Sequence, residues 1–205
     1  MNTDANSLDR RVLRTRAAIR QALVELIEEK GFDALTVQDI ASRADINRGT
    51  FYLHYHDKFD LLEQTELEII HDFERILSQG GVIDLIDFKN TEHPLPAMVA
   101  LFEYLLERAA LMHAILGLKG DAAFQIKIKK ALEINLLKPG FLNGLKKENF
   151  LAPPEYLLSY ILSAHLGVIQ VWLQRGCLES PREMALILSN LSVNGPLRAI
   201  GLNLA

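Results

Sequence analysis

A cluster of hydrogen-bond donors lies in the segment NRGTFYLHYHDKFDLL, residues 47–62. The donors are a guanidinium, a hydroxyl, a phenol, an imidazole and an ammonium, on Arg48, Thr50, Tyr52, His54 and Lys58. Donors of these kinds bind anionic oxygens, and arginine can also bind the edge of a guanine through two parallel hydrogen bonds. Phe51 can face inward while the donors face out. The pattern predicts a surface that contacts a partner.

Two very short helices are predicted to position these donors. Thr36 is followed three residues later by Asp39, which is the spacing of a capping box, so a helix begins at residue 37 and ends near residue 44. Asn47 is a second cap residue and predicts a helix over Arg48–His54. A break at Asp45 and Ile46 separates the two helices.

Longer helices flank this pair. Apolar residues recur at helical spacing over residues 11–30, and Gly31 suits the left-handed position that ends a helix. Asp57 caps a helix that runs toward Ser78. Isolated helices of two turns are unstable in water, so packing against the long helices must hold the short ones. The four helices together form a helix-turn-helix unit.

The rest of the chain is also predicted to be helical, so the fold class is all-α. Its helices are predicted over residues 94–116 (with a break near 109–110), 121–137, 154–176 and 181–192. The last residues, GPLRAIGLNLA, are expected to form a loosely docked tail. We predict two domains, a helix-turn-helix domain over residues 1–58 and a larger helical domain over residues 59–205.

The run Tyr156–Gln174 is uncharged and long enough for a membrane span. It contains serine, histidine and glutamine residues, which are costly when they face lipid. A buried helix or a subunit interface is therefore expected here, without membrane contact.

Charge is divided unevenly along the chain. The net charge is -4, yet residues 1–58 carry nine Lys/Arg and nine Asp/Glu, whereas residues 59–205 carry 13 and 17. Arg10, Arg11, Arg14, Arg16 and Arg20 have no acid between them. These arginines form either a solvated helix face or a set of phosphate or minor-groove contacts.

The second short helix has the size and the donors needed to lie in the major groove of double-stranded DNA. Arg48 can bind guanine, and Thr50 can offer a base edge its hydroxyl or a thymine its methyl group. Tyr52 and His54 are phosphate donors. Two further phosphate donors are expected at helix starts, Thr36 and Lys58. Tyr52 has an alternative role as half-buried packing. A metal pair of His54 with His56 is disfavoured, because side chains two apart on a helix diverge.

The span from Arg14 to Leu62 resembles the DNA-binding domain of the tetracycline-repressor (TetR) family. The shared features are Ala17-Ala18-Ile19, Lys30-Gly31-Phe32, Leu35-Thr36-Val37, Arg48-Gly49-Thr50-Phe51-Tyr52 and His54-Tyr55. Asp45 and Tyr55 depart from the pattern, where glycine and phenylalanine are usual. The resemblance implies that Asn47 and Gly49 belong to the DNA-contacting segment.

The resemblance extends more weakly over residues 113–184 and implies a homodimer that reads a near-palindromic operator. Its last two long helices, at about 154–176 and 181–192, would pair with those of a second subunit. It also implies a small-molecule effector, whose identity is left open. Candidate effector-binding residues are aromatic or polar residues within apolar helices: Phe102, His113, Phe124, Tyr160 and His165.

Other functional classes find little support in the sequence. It contains no GxSxG, HExxH, GxGxxG or P-loop spacing, so no enzyme, cofactor or metal site is predicted. Cys177 is the only cysteine and no secretory signal is visible, so a cytoplasmic location is expected. The favoured function is a TetR-like regulator, most often a repressor. The alternative is a coactivator or a helical interaction module that acts through a protein partner.

Overall fold

The computed structural model describes residues 3–78, 93–117, 122–136 and 150–199. Over these residues the fold is all-α, as predicted, with no strand. The helices are α1 (Thr3–Lys30), α2 (Val37–Arg43), α3 (Arg48–Tyr52), α4 (Lys58–Leu77), α5 (Pro96–Glu107), α6 (Ala109–Leu116), α7 (Ala122–Leu136), α8 (Pro154–Gln174) and α9 (Pro181–Ala199).

The local signals around the helix-turn-helix are confirmed. Thr36 and Asp39 form a reciprocal capping box at the start of α2. Gly31 takes a φ of 78°, the left-handed value that a residue without a Cβ adopts readily. The predicted break in the helix over 94–116 separates α5 from α6 at Arg108.

Several helix ends differ from the prediction. The first helix begins at Thr3 rather than Arg11, because no proline or glycine precedes Arg11 to interrupt it. α3 ends at Tyr52, two residues before the predicted end at His54. The last helix continues to Ala199 instead of ending at Ser192. It is interrupted only at Gly195, whose φ of 72° and ψ of 164° accommodate the proline that follows.

The chain forms two compact units. One comprises Met1–Ile69 with Ala110–Phe124, and the other comprises Ile70–Ala109 with Gln125–Ala205. The predicted domain boundary between residues 58 and 59 stays a prediction. The core of the first unit unites α1 to α4, with Ile19, Leu23, Ile40, Phe51 and Leu61 fully buried, and Ala114 of α6 belongs to the same cluster.

The second unit is built on aromatic contacts between helices. The rings of Phe102 on α5 and Trp172 on α8 meet edge to face, with centroids 5.2 Å apart. The indole N–H of Trp172 donates to the Glu179 carbonyl oxygen at 3.0 Å, which fixes the chain between α8 and α9. At the start of α5, the Leu95 amide donates to the Ser189 hydroxyl oxygen.

Helix α8 is apolar on two faces. One face carries the buried residues Leu158, Leu162, Leu166, Ile169 and Leu173. Other apolar side chains are exposed, among them Tyr160 (59%) and Val171 (54%). Among the described residues, α8 alone has the length and hydropathy of a membrane span, and 33% of its apolar window is buried within the chain.

Candidate nucleic-acid interface

Asn47 builds the first turn of α3. Its side-chain oxygen accepts the Thr50 amide at 2.7 Å and the Thr50 hydroxyl at 3.1 Å. A Cβ on Gly49 would lie 3.1 Å from the same oxygen, so the cap favours glycine there. The predicted cap is confirmed, and it uses the hydroxyl proton that Thr50 was expected to offer to a base. Thr50 itself is half-buried.

Arg48 and Tyr52 form the outer surface of α3. Phe51 is fully buried, and Arg48 and Tyr52 are exposed. The Arg48 guanidinium donates through Nη2 to the Tyr52 hydroxyl oxygen at 3.1 Å and lies 5.8 Å from the centre of the phenol ring. Tyr52 is 47% exposed and its ring contacts that of Phe51, so the alternative of half-buried packing stays open beside the phosphate contact. These two side chains give α3 a cationic and polar outer face.

His54 lies just beyond the end of α3, in the turn that leads to the core. Its amide donates to the Phe51 carbonyl oxygen at 2.9 Å, and its ring lies beside that of Tyr55. The side chain is half-buried. Its role as a phosphate donor stays a prediction.

Tyr55 explains one departure from the family pattern. Its ring is buried, and its hydroxyl oxygen accepts a hydrogen bond from Arg16 Nε at 3.2 Å. Arg16 also donates to Gln64 at 2.8 Å. The hydrogen bond that Arg16 donates to Tyr55 raises the pKa of Arg16. The hydroxyl that phenylalanine would lack therefore ties α1 to the residues following α3.

The turn between α2 and α3 contains the second departure. Asp45 has a φ of 53°, in the left-handed region where glycine is usual. Its amide donates to Ser42, and the Ile46 amide donates to Ala41, so the turn is fully hydrogen-bonded at these two positions. Aspartate adopts the left-handed conformation more readily than most non-glycine residues, which permits it here.

Thr36 caps α2 at an exposed position. Its hydroxyl donates to Asp39 at 2.6 Å, and Lys30 lies 2.9 Å from the same carboxylate. Hydrogen bonds from Thr36, and then from Lys30, lower the pKa of Asp39 to about 2. The cap is confirmed. The phosphate contact predicted for Thr36 stays a prediction.

Lys58 is engaged inside the unit. Its ammonium donates to the carbonyl oxygens of Phe32 and Asp33, at 3.1 and 3.0 Å, and lies about 5 Å from the ring centres of Phe32 and Phe59. The sequence indicated a charge contact with DNA at this position. The structure gives the ammonium a second role, as a cap on the chain that leaves α1, and this role depends on residues 25 and 26 positions away.

Other basic residues of the first unit have carboxylate partners. Arg43 contacts Glu25 and Glu29 at 3.0 and 2.8 Å. Hydrogen bonds from Gln21, and then from Arg43, lower the pKa of Glu25, and the hydrogen bonds from Arg43 lower the pKa of Glu29. Arg20 contacts Glu68. The remaining N-terminal arginines, Arg10, Arg11 and Arg14, are exposed.

The candidate effector residues are not gathered at one place. Phe102 and Phe124 are fully buried. His113 Nδ1 lies 2.7 Å from a carboxylate oxygen of Glu28 in the first unit. Only Tyr160 and His165 line the same cavity, a groove of about 280 Å³ between α8 and α9. The assignment of these five residues to an effector stays a prediction.

That groove is largely apolar. Its walls include Ile161, Val168 and Leu188. His165 Nε2 lies 2.9 Å from the Ser192 hydroxyl oxygen, and burial lowers the pKa of His165 to about 4. The imidazole is therefore neutral at neutral pH. In the described part of the chain, no group of three or more His, Cys, Asp or Glu side chains is placed to hold a metal ion.

Comparison with known proteins accounts for both parts of the chain. Residues 19–65 match the family of bacterial regulatory proteins of the tetR type, and residues 92–194 match its transcriptional regulator C-terminal region. The chain is 42% identical over 57 residues to the uncharacterized HTH-type transcriptional regulator YxbF of Bacillus subtilis (strain 168). That match covers 27% of this chain and 15% of YxbF.

Solved structures share the fold over most of the chain. The fatty acid degradation regulator FadR from Bacillus halodurans is 20% identical, with a TM-score of 0.61 over 89% of this chain and 96% of that protein. FadR from Bacillus subtilis, in complex with stearoyl-CoA, is 18% identical, with a TM-score of 0.59 over 87% and 98%. The C-terminal match alone covers half of the residues, so the chain belongs to the tetR family of transcriptional regulators.

Proposed function

We propose that this protein is a sequence-specific DNA-binding regulator in which α3 reads an operator from the major groove. The observation that carries the proposal is the orientation of α3. Phe51 is fully buried and anchors the helix in the core, while Arg48 and Tyr52 on the same short helix are exposed. TetR-family regulators bind DNA and act as dimers, and two-fold symmetry suits a near-palindromic operator.

The dimer contact is assigned to the outer face of α8 and the adjoining groove against α9. Exposed apolar residues on this face include Leu157, Tyr160 and Val171. Large exposed apolar patches mark interaction sites in soluble proteins. A second copy covers this face without the cost of placing His165 and Ser192 against lipid.

Repression with release by a small molecule is the regulatory mode that we favour. FadR of Bacillus subtilis, which shares this fold, was solved in complex with stearoyl-CoA, and this supports the proposal that the present chain also binds a small molecule. An effector bound in the groove that Tyr160 and His165 line would adjoin the proposed dimer contact. The protein would exist in two states that differ in the spacing of the two α3 helices. The effector would shift the equilibrium between these states by a free energy equal to the difference in its affinity for them.

The test is binding of the purified protein to the intergenic DNA upstream of its own gene, with unrelated DNA as competitor. Arg48→Ala is expected to reduce discrimination between the two DNAs by about 1–3 kcal/mol, the value of one good base contact. Arg182→Ala is the matched control, because Arg182 is an exposed arginine on α9. Equal loss in both variants would argue for non-specific charge attraction.

A protein-interaction module is the rival. Such a module would leave the upstream fragment no better bound than the competitor, and Arg48→Ala would change nothing. In the favoured case, affinity falls log-linearly with salt concentration at a slope near -0.9 per phosphate contact.

A further inference from the structure

We propose that Tyr52 positions Arg48 for base readout, holding the guanidinium so that its two outer N–H groups face one base. The inference rests on the proposed function, since it concerns how α3 reads DNA. It assigns Tyr52 a role in sequence preference, beyond the phosphate contact predicted from its hydroxyl.

The two residues occupy the ends of α3. Arg48 is the first residue and Tyr52 the last, four positions apart, so the side chains lie on one face one turn apart. Arg48 Nη2 lies 3.1 Å from the Tyr52 hydroxyl oxygen, and its Cζ lies 5.8 Å from the ring centre. The guanidinium is therefore held both by a hydrogen bond and by the ring.

The phenol is itself anchored. Its ring meets the Phe51 ring edge to face, with centroids 5.7 Å apart and an interplanar angle of 87°. Phe51 is fully buried in the core of the first unit. Arg48 is thus linked through Tyr52 to a fixed point, although its own side chain is exposed. A long side chain held in place before binding loses less conformational freedom when it binds.

The hydrogen-bonding capacity of both groups suits this arrangement. A guanidinium has five N–H donors. One N–H of Nη2 is used on Tyr52, which leaves the other N–H of Nη2 and those of Nη1 for the two acceptors of a guanine edge. The Tyr52 hydroxyl accepts in this pair, so its own proton remains available to a phosphate oxygen. Positioning and phosphate binding are therefore compatible.

The partner of Arg48 is also neutral, in contrast to the carboxylate partners of Arg43 and Arg20. Arg43 is held by two carboxylates and Arg20 by one. Carboxylates fix a guanidinium but cancel its charge and repel DNA. A phenol fixes it and leaves the positive charge in place.

The decisive experiment is selection of preferred sequences from a pool of random DNA duplexes, with wild-type protein and four single variants. Arg48→Ala and Arg48→Lys identify the base positions that Arg48 reads, because lysine keeps the charge but lacks the planar fork. Tyr52→Phe removes only the hydroxyl. Tyr156→Phe is the matched control, an exposed tyrosine on α8.

Tyr52→Phe is expected to lower the preference at the positions assigned to Arg48 by about 2- to 10-fold, the range for one hydrogen bond. Other positions and the Tyr156→Phe profile should be unchanged. In the double variant with Arg48→Ala, Tyr52→Phe should alter the profile no further. A purely structural or phosphate-binding role would not produce this position-specific, non-additive pattern.

Three results would overturn the inference. Tyr52→Phe could lower affinity for every sequence alike, which would leave Tyr52 a phosphate contact only. It could change positions that Arg48→Ala leaves unchanged, which would make Tyr52 a reader in its own right. Arg48→Ala could leave the sequence profile unchanged, which would show that Arg48 reads no base and that Tyr52 has no readout to support. Failure of the wild-type protein to select any sequence would instead refute the proposed function.

Discussion

Asn47 is the single residue on which the start of α3 depends. α3 has five residues, too few to be stable through its own backbone hydrogen bonds. The Asn47 oxygen satisfies the Thr50 amide and hydroxyl. Loss of this oxygen leaves an N-terminal amide of the helix without its partner.

Asn47→Ala is therefore expected to lower the free energy of unfolding by about 1 kcal/mol, the usual cost of losing a helix cap. Chemical denaturation with urea measures it. Asn47→Asp is the control, because aspartate keeps the capping oxygen. Equal stability of the alanine variant and the wild-type protein would show that packing alone holds α3.

His165 is held in one tautomer by its neighbour. Ser192 has one hydroxyl proton, which it donates to the Leu188 carbonyl oxygen at 2.7 Å. Its oxygen must then accept from His165, so Nε2 carries the imidazole proton. Burial lowers the pKa of His165 to about 4, below the 6.5 of a free histidine side chain.

This lowered pKa predicts a loss of stability in acid. Between pH 6.5 and pH 4 the unfolded chain binds a proton that the folded chain does not, so the free energy of unfolding decreases as pH falls through this window. Urea denaturation across the window measures it. His165→Gln should show a shallower dependence than the wild-type protein. Identical pH profiles would mean that His165 titrates normally in the folded protein.

At the scale of elements, Lys58 joins the start of α4 to the end of α1. The carbonyl groups of Phe32 and Asp33 follow the left-handed Gly31, and both accept a hydrogen bond from the Lys58 ammonium. The Phe32 carbonyl oxygen also accepts the Leu35 amide at 3.1 Å. Phe32 and Phe59 meet edge to face beside the ammonium, with ring centroids 5.6 Å apart.

Lys58→Met is expected to lower the free energy of unfolding by about 1–2 kcal/mol, since hydrogen bonds to a charged group are lost from a partly buried site. The slope of DNA affinity against salt should stay unchanged if the ammonium remains on the carbonyl groups. If the slope of Lys58→Met were shallower than that of the wild-type protein by about 0.9, the value of one phosphate contact, Lys58 would instead be a phosphate ligand. Lys130→Met, at an exposed position on α7, is the control for stability.

Helix α8 has two apolar faces that serve different ends. One face packs within the second unit through residues such as Leu162 and Ile169. The other face carries Tyr160, Ala164 and Val168 at helical spacing, and these residues line the groove between α8 and α9. Because exposed apolar patches mark interaction sites in soluble proteins, we expect a partner to cover the second face.

At the scale of the whole molecule, the proposed dimer links this face to DNA binding. Val168→Glu is expected to give a monomer in sedimentation experiments, because it places a charge on the apolar face. Operator affinity should then fall by about 100-fold or more, as two linked sites become one. Helical content should be kept, since Val168 lies outside the buried face.

Ser163→Glu is the matched control, an exposed serine on the same helix that does not line the groove. It should remain dimeric and bind the operator normally. A dimeric Val168→Glu variant would refute the assigned interface while leaving the DNA-reading role of α3 untouched.

Local signals in the sequence were sufficient to predict most of the helices. Caps at Thr36, Asn47 and Asp57, and the glycine that ends α1, act over two to four residues, so spacing alone reveals them. The prediction that α3 extends to His54 was wrong because tertiary packing, and not a local signal, ends this helix. His54 belongs to a turn that forms because Tyr55 must reach the core, which is a tertiary demand.

The sequence by itself determined the all-α class, the helix-turn-helix, the inward position of Phe51 and the exposure of Arg48. Each follows from interactions within one or two turns of chain. Only the tertiary structure decided that Lys58 caps α1 and that the Tyr55 hydroxyl receives Arg16, because these partners lie 25 to 39 residues apart. It also brought Tyr160 and His165 together with Ser192 of α9 while burying Phe102 and Phe124 elsewhere. Aromatic side chains can line a groove or fill a core, and the packing between helices decides which of these each one does.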